Sequence, residues 1–171
     1  MVTTARALGR LFDVSCGAVP TDAVAGAITG NRVNLKNAGG VTFLVIASAG
    51  STDILDVDLQ EHNAASGGTS QDLDVITTYY HKSEITLDGD ETWTKVTQAA
   101  ASEITNIDAA STQNLVAIEV GAEQLSDGFN WVSLNVPDLG TNGTKFVAIL
   151  YILHDLKVQR APENLVNPQA A

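Results

Sequence analysis

Three histidines, His62, His81 and His154, are the side chains of this sequence best suited to metal binding or proton transfer. None of them lies at a zinc-type spacing from another histidine, from the single cysteine or from a carboxylate. An isolated histidine supplies only one of the several protein ligands that zinc needs. The sequence therefore predicts no metal-ligating histidine.

Two pairs of acids, Asp56 with Asp58 and Asp72 with Asp74, each place two carboxylates on one face of an expected strand. Calcium takes six to eight oxygen ligands, so the two pairs could hold an ion only if they met. The segment from Asp88 to Glu91 does not match a twelve-residue calcium loop. We predict no metal site, and a cation between the two pairs stays an alternative.

Catalytic motifs give no stronger signal. Asp88 and Glu91 could in principle serve as the two carboxyl groups of a glycosidase, but acids in turns are usually solvated. The sequence holds no G-x-S-x-G elbow, no phosphate-binding G-x-x-x-x-G-K and no dinucleotide fingerprint. We predict that the protein is not an enzyme and has no catalytic or cofactor-binding residue.

Five aromatic residues could form a flat platform for sugars. At strand spacing such residues more often anchor a core or a subunit interface, which is the interpretation favoured here. They are Tyr79, Tyr80, Trp93, Phe129 and Trp131.

The chain has 171 residues, which fits one domain with a substantial core and no need for disulfides. Its lone Cys16 is interpreted as a buried small hydrophobe. No apolar run reaches the length of a membrane span, and the start lacks a signal-type apolar segment, so we expect a soluble protein made in the cytosol.

The net charge of −11 argues against nucleic acid as a partner, because phosphate binding needs clustered Lys and Arg. The charge is uneven, since residues 37–144 hold only Lys82 and Lys95 against sixteen acids while both ends are slightly basic. A solvated acidic surface explains the middle of the chain. A sharper hypothesis is that the basic ends dock onto an acidic neighbour.

The elements that would position these side chains are strands. Ile54–His62 alternates, with Leu55, Val57 and Leu59 predicted inward, and Phe129–Val136 alternates with Val132, Leu134 and Val136 on its core face. The runs at 41–49 and 144–153 are apolar at almost every position, which predicts central strands covered on both faces by a second layer or a neighbouring subunit.

About eight short strands separated by turns indicate an all-β fold, a single-domain β-sandwich or jelly-roll-like barrel with antiparallel strands. A weak helix is plausible at 99–110, and 63–70 is expected to be a mobile loop. Residues 1–30 are assigned to an N-terminal arm, 31–156 to the body and 157–171 to a C-terminal arm.

Several segments in this order resemble small virion proteins of tailed bacteriophages, the type that decorates or cements the capsid. The resemblance covers most of the chain from Gly30 onward and consists of strand patterns without a chemically diagnostic motif. Its segments are GNRVNLK (30–36), VTFLVIA (41–47), QEHNAAS (60–66), ETWTKV (91–96), LVAIEVGAEQL (115–125), GFNWVSLNV (128–136) and the ending YILHDLKVQRAPENL (151–165).

The resemblance implies a non-enzymatic protein on the outer capsid surface that binds across major capsid protein subunits and opposes the pressure of packaged DNA. It also implies association with copies of itself, with a homotrimer expected, and terminal arms that contact the capsid or an adjacent copy. It implies neither a nucleic-acid nor a membrane partner. A tail or baseplate component and a carbohydrate-binding adhesion module remain the alternative functions.

Overall fold

The computed structural model describes residues 7–170 and shows a single all-β domain in which two antiparallel sheets pack face to face. The predicted β-sandwich is confirmed. Its strands are β1 (Phe12–Asp22), β2 (Val33–Asn34), β3 (Gly40–Ala47), β4 (Leu55–His62), β5 (Ser70–Asp72), β6 (Ile76–Glu84), β7 (Thr94–Ala101), β8 (Glu103–Ile107), β9 (Gln113–Gly121), β10 (Trp131–Asn135) and β11 (Phe146–His154). Two short 3-10 turns cover Ala122–Gln124 and Pro162–Asn164.

The larger sheet has the strand order β1-β11-β3-β9-β6-β7. Its three central strands are rich in Val, Ile and Leu, and every second residue of each is buried against the other sheet. The alternate residues of the same strands point away from the core. The larger sheet therefore has an outer face that nothing within residues 7–170 covers completely.

The smaller sheet has the order β2-β10-β4, and β5 and β8 share the far edge of β4. On β4 the predicted alternation is confirmed, with Leu55, Val57 and Leu59 buried between half-buried Asp56 and Asp58. The outer face of this sheet is consequently polar, in contrast to that of the larger sheet.

The core lies between the sheets and joins them through a tyrosine. The rings of Tyr151 on β11 and Phe43 pack edge to face, with 5.0 Å between their centres. The Tyr151 hydroxyl accepts a hydrogen bond from the backbone N–H of Leu134 at 3.1 Å. The approach is close enough that a side chain at Gly30 would collide with the Leu134 carbonyl and the Tyr151 hydroxyl. One buried polar contact thus fixes the spacing of the two layers.

The prediction of a helix at 99–110 is wrong. Residues 94–101 form β7 and residues 103–107 form β8, with Ile104 and Ile107 fully buried. Ser102 links the two strands, and its N–H donates to the Asp74 carboxylate. Pairing with β6 and β4 supplies the backbone hydrogen bonds that a helix would have made. Residues 7–170 form eleven strands where about eight are expected, and the short strands β5 and β8 are among the additional ones.

The assignment of extended terminal arms also needs correction. Residues 12–22, placed in the N-terminal arm, form the edge strand β1, which pairs with β11 from Phe12 opposite His154 to Asp22 opposite Phe146. The described C-terminal residues lie along their own body, where Asn34 donates to the Pro168 carbonyl and Gln169 donates to that of Cys16. Residues 1–6 and 171 lie outside the described part of the chain.

Among residues 7–170, no helix combines the length and hydropathy that crossing a membrane would need.

Candidate functional site

The three histidines lie apart and have different surroundings. His62 is buried on β4 between the hydroxyls of Ser70 (2.7 Å from Nδ1) and Ser133 (2.9 Å from Nε2). His81 contacts the Ser83 hydroxyl at 3.1 Å, whereas His154 contacts the Asp155 carboxylate at 2.8 Å. The structure therefore brings no two of them into one site.

The His62 contacts belong to a polar chain on the outer face of the smaller sheet that sequence reasoning missed. Arg32 donates to the Ser70 hydroxyl at 3.0 Å and to the carbonyls of Ala64 and Gly67. Burial, followed by the positive charge of Arg32, lowers the pKa of His62 to about 4, although the Glu61 charge acts in the opposite direction. A neutral imidazole with so low a pKa is a weak general base at neutral pH, so the arrangement joins strands rather than activating a nucleophile.

The acidic pairs considered for calcium are not joined in one cation site within residues 7–170. Asp56 accepts the N–H of Asn106 at 2.6 Å and Asp74 accepts that of Ser102 at 2.9 Å, so both shape the backbone. Burial, with the negative charge of Asp72 adding to it, raises the pKa of Asp58.

A different acidic cluster forms at the β6–β7 turn, where ligand oxygens of Glu84, Asp88, Asp90 and Glu91 lie within 4.8 Å of one another. The two carboxylate oxygens of Glu91 accept the backbone N–H groups of Asp88 (2.7 Å) and Gly89 (3.2 Å). These bonds explain why the acids gather at the turn, and an exposed acidic turn by itself is not a cation site.

The five aromatics do not form one exposed platform. Trp131 and Tyr79 are buried, with 6% and 7% of their surface exposed, so neither ring can stack on a sugar. Trp93 and Tyr80 are open to solvent on the side of the larger sheet, and the Lys82 ammonium lies 5.3 Å from the centre of the Trp93 ring. Tyr79 belongs to the core, whereas Trp131 is buried on the outer side of the smaller sheet opposite His62. Phe129 is half-buried just before β10. The aromatic residues therefore lie in separate places.

On the outer face of the larger sheet, apolar side chains cross five neighbouring strands in register. One row runs from Cys16 through Leu150, Leu44 and Ala117 to Tyr80. Ile46 and Phe146 are 45% and 51% exposed. We call this surface the apolar face, and its outward apolar residues are Val14, Cys16, Leu44, Ile46, Tyr80, Leu115, Ala117, Phe146, Ala148, Leu150 and Ile152.

One sequence prediction is wrong on this surface, and a second stays a prediction. Cys16 is exposed rather than buried, because it projects outward from the edge strand β1 while the neighbouring Gly17 faces the Tyr151 ring. The apolar run at 144–153 is expected to be covered on both faces by a second layer or a neighbouring subunit, and Phe146 is half exposed in the single chain. The run is apolar on both sides, but the chain itself covers only the inner side.

The second candidate surface lies where the two ends of the described chain meet, and we call it the terminal edge. Arg160 donates its backbone N–H to the Gly9 carbonyl, and the Lys157 ammonium donates to the Lys36 carbonyl at 3.0 Å. Lys36 and Arg160 line a cleft of about 320 Å³ together with Asp13 and a set of apolar residues. The apolar lining is Ala38, Leu153, Leu156, Val158, Leu165, Val166, Pro168 and Ala170.

Charge distinguishes this edge from the rest of the protein. The terminal edge carries Arg10, Lys36, Lys157 and Arg160 with only three acids, Asp13, Asp155 and Glu163. The other described residues hold four cations against seventeen acids. The folded chain thus gathers its two basic ends into one surface.

No family model matches the chain, and comparison with characterised proteins and with solved structures gives no match either.

Proposed function

We propose that this protein is a non-enzymatic virion structural protein that decorates a bacteriophage capsid and stabilises it by binding across major capsid protein subunits. The proposal places the protein on the outer capsid surface. The terminal edge is the surface that meets the capsid, and copies of the protein contact each other through their bodies. It rests on the sequence resemblance together with the two distinct surfaces of the folded domain.

The convergence of the termini is the observation that carries the proposal. A chain with a net charge of −11 would be repelled by an acidic capsid surface over most of its own surface. The terminal edge is the exception, because Lys36, Lys157 and Arg160 lie together beside an apolar cleft. Cations around a cleft with apolar walls suit an acidic segment that also inserts an apolar side chain.

Binding to capsids tests the proposal directly. Purified capsids that lack this protein are mixed with it, sedimented and assayed for bound protein. We expect saturable binding that weakens between about 50 mM and 500 mM salt, because screening acts on the charged edge. The double charge reversal Lys157→Glu with Arg160→Glu should abolish binding.

Lys95→Glu is the control for a single charge reversal and is compared with Lys157→Glu alone, because Lys95 is also an exposed cation but lies on β7, away from the terminal edge. This variant should bind capsids as the unchanged protein does. Equal binding by the double reversal and the control would reject the terminal edge as the contact. No saturable binding by the unchanged protein would reject capsid decoration.

A further inference from the structure

We propose that the apolar face of the larger sheet is a self-association surface that packs against a second copy of this chain. This inference deepens the proposed function, since it names the surface through which copies meet. It is tested without capsids, so its failure and the failure of capsid binding are separable.

The register of strand pairing shows which outward side chains are neighbours on the apolar face. Leu150 of β11 lies beside Cys16 on one side and Leu44 on the other, and Leu44 lies beside Ala117. In the next row, Ala148, Ile46 and Leu115 are neighbours in the same way. Side chains on one face of paired strands stand close together, so these rows form one continuous apolar patch.

The distribution of charge limits where two copies of the chain can meet, and the apolar face is such a place. Two copies of so acidic a chain repel each other, and they can approach closely only over a surface with few acids. The outward positions of β11, β3 and β9 carry one acid, Glu119, at the margin near Gly121. On β1 and β6, Asp22 stands opposite Phe146 and Glu84 stands opposite Gln113, both at the ends of their strands. An apolar patch also needs no complementary pattern of charges, so it packs against the same patch of another copy about a twofold axis, which gives a dimer instead of the homotrimer expected from the resemblance.

The size of the patch is sufficient. Five strands at a spacing of about 4.8 Å span roughly 24 Å, and seven residues along a strand span roughly 23 Å. Two rectangles of this size, which enclose the apolar face together with polar neighbours such as Thr42 and Lys82, have a combined flat area of about 1,100 Å², close to the roughly 1,000 Å² expected of the smallest specific interfaces. The outer face of the smaller sheet, with Asp56, Asp58 and Gln60, offers no comparable patch.

The test measures mass in solution by sedimentation with a reductant present, so that a Cys16 disulfide cannot mimic association. We expect the unchanged protein at about 100 μM to have at least twice its chain mass of 17.9 kDa. Because apolar contacts are not screened, raising the salt should preserve the assembly or strengthen it. The double variant Ile46→Glu with Leu150→Glu should sediment as a monomer.

Thr105→Glu is the control for a single added charge and matches Thr42→Glu, since Thr105 is exposed on β8 of the opposite sheet. It should associate as the unchanged protein does. Thr42→Glu repeats the test with a smaller change at a half-buried outward position of β3, in case the double variant does not fold. Circular dichroism checks that each variant retains its strands.

The labelling rate of Cys16 gives a second measurement of self-association, because its thiol is exposed on the apolar face of a single copy. A maleimide should label it more slowly in the associated protein than in the Ile46→Glu, Leu150→Glu variant. A monomer at about 100 μM, with equal labelling in both proteins, would overturn the proposal. Suppose that the unchanged protein is a monomer and that the Ile46→Glu, Leu150→Glu variant no longer binds capsids. The apolar face would then contact the capsid protein instead of a second copy.

Discussion

The hydroxyl of Tyr151 in the larger sheet accepts the backbone N–H of Leu134 in the smaller sheet at 3.1 Å. Both residues are completely buried, and burial raises the pKa of the tyrosine, which remains a neutral phenol at every ordinary pH. A buried N–H that loses its acceptor carries the full penalty of desolvation. This contact therefore contributes to the spacing of the layers as well as to stability.

Replacing Tyr151 with Phe should lower the free energy of unfolding by about 1–3 kcal/mol, because the Leu134 N–H would be left unpaired. Urea denaturation followed by fluorescence measures the change. Tyr80→Phe is the control, since Tyr80 lies on the outer face and is 36% exposed. Equal stability of the two variants would show that the hydroxyl contact contributes nothing.

The buried ammonium of Lys145 should lower the free energy of unfolding near neutral pH, compared with an apolar side chain at the same position. Lys145 has no exposed surface, its Nζ donates to the Thr112 carbonyl at 3.3 Å, and burial lowers its pKa below the usual 10.5. The unfolded chain then binds the proton more tightly, so stability rises with pH between the lowered pKa and about 10.5.

Lys145→Met removes the amine and should raise the free energy of unfolding at pH 7 by about 1 kcal/mol or more. It should also remove the gain in stability on the alkaline side. Thermal unfolding from pH 7 to 11 measures both effects, and Lys95→Met provides an exposed comparison. A less stable Lys145→Met protein with an unchanged alkaline profile would contradict this expectation.

Acid should destabilise the fold through His62. Its pKa is 6.5 in the unfolded chain and about 4 in the folded protein, because burial and the Arg32 charge disfavour the imidazolium. The folded state therefore keeps its full stability above pH 6.5 and loses it as the pH falls to about 4. At about 1.4 kcal/mol per pKa unit, the loss is about 3 kcal/mol.

The variant His62→Gln cannot take up this proton, so its unfolding free energy should fall less between pH 6.5 and 4. Chemical denaturation at a series of pH values measures the slope. His154→Gln should keep the slope of the unchanged protein, because His154 is partly exposed at the end of β11. Parallel curves for the two variants would exclude His62 as the acid-sensitive group.

The sequence is sufficient to predict the strands whose pattern is local. The alternation of Leu55, Val57 and Leu59 fixes both the strand β4 and its buried side, because period two is a property of the strand itself. The short strands β5 and β8 escape such reasoning, since only their pairing with β4 defines them. The alanine-rich end of β7 at residues 99–101 has no strong local preference, so pairing with β6 decides its conformation.

The candidate surfaces depend on contacts between distant parts of the chain. The polar chain around His62 joins Ser70 with Ser133, and nothing in the local sequence of either serine shows this. The apolar run of β11 does predict burial on both faces. It cannot show whether the second cover comes from the same chain or from another copy, because the side chains required are the same.

Arg32 should hold the loop at residues 63–70 in place, although its composition predicted mobility. The guanidinium donates to the carbonyls of Ala64 (2.9 Å) and Gly67 (2.7 Å) and to the Ser70 hydroxyl (3.0 Å). The planar fork of arginine makes these three bonds together, which a lysine ammonium on a flexible stem cannot reproduce. Arg32→Lys should therefore keep the charge and release the loop.

Limited proteolysis and amide exchange measure this release. In Arg32→Lys we expect cleavage within 63–70 and faster exchange there, with an overall loss of about 1–2 kcal/mol because three hydrogen bonds weaken. Lys36→Arg is the matched control, since it exchanges the same two cations at an exposed position on the terminal edge. A loop that stays protected in Arg32→Lys would mean that the bond between Asn63 and Thr69 is enough to order it.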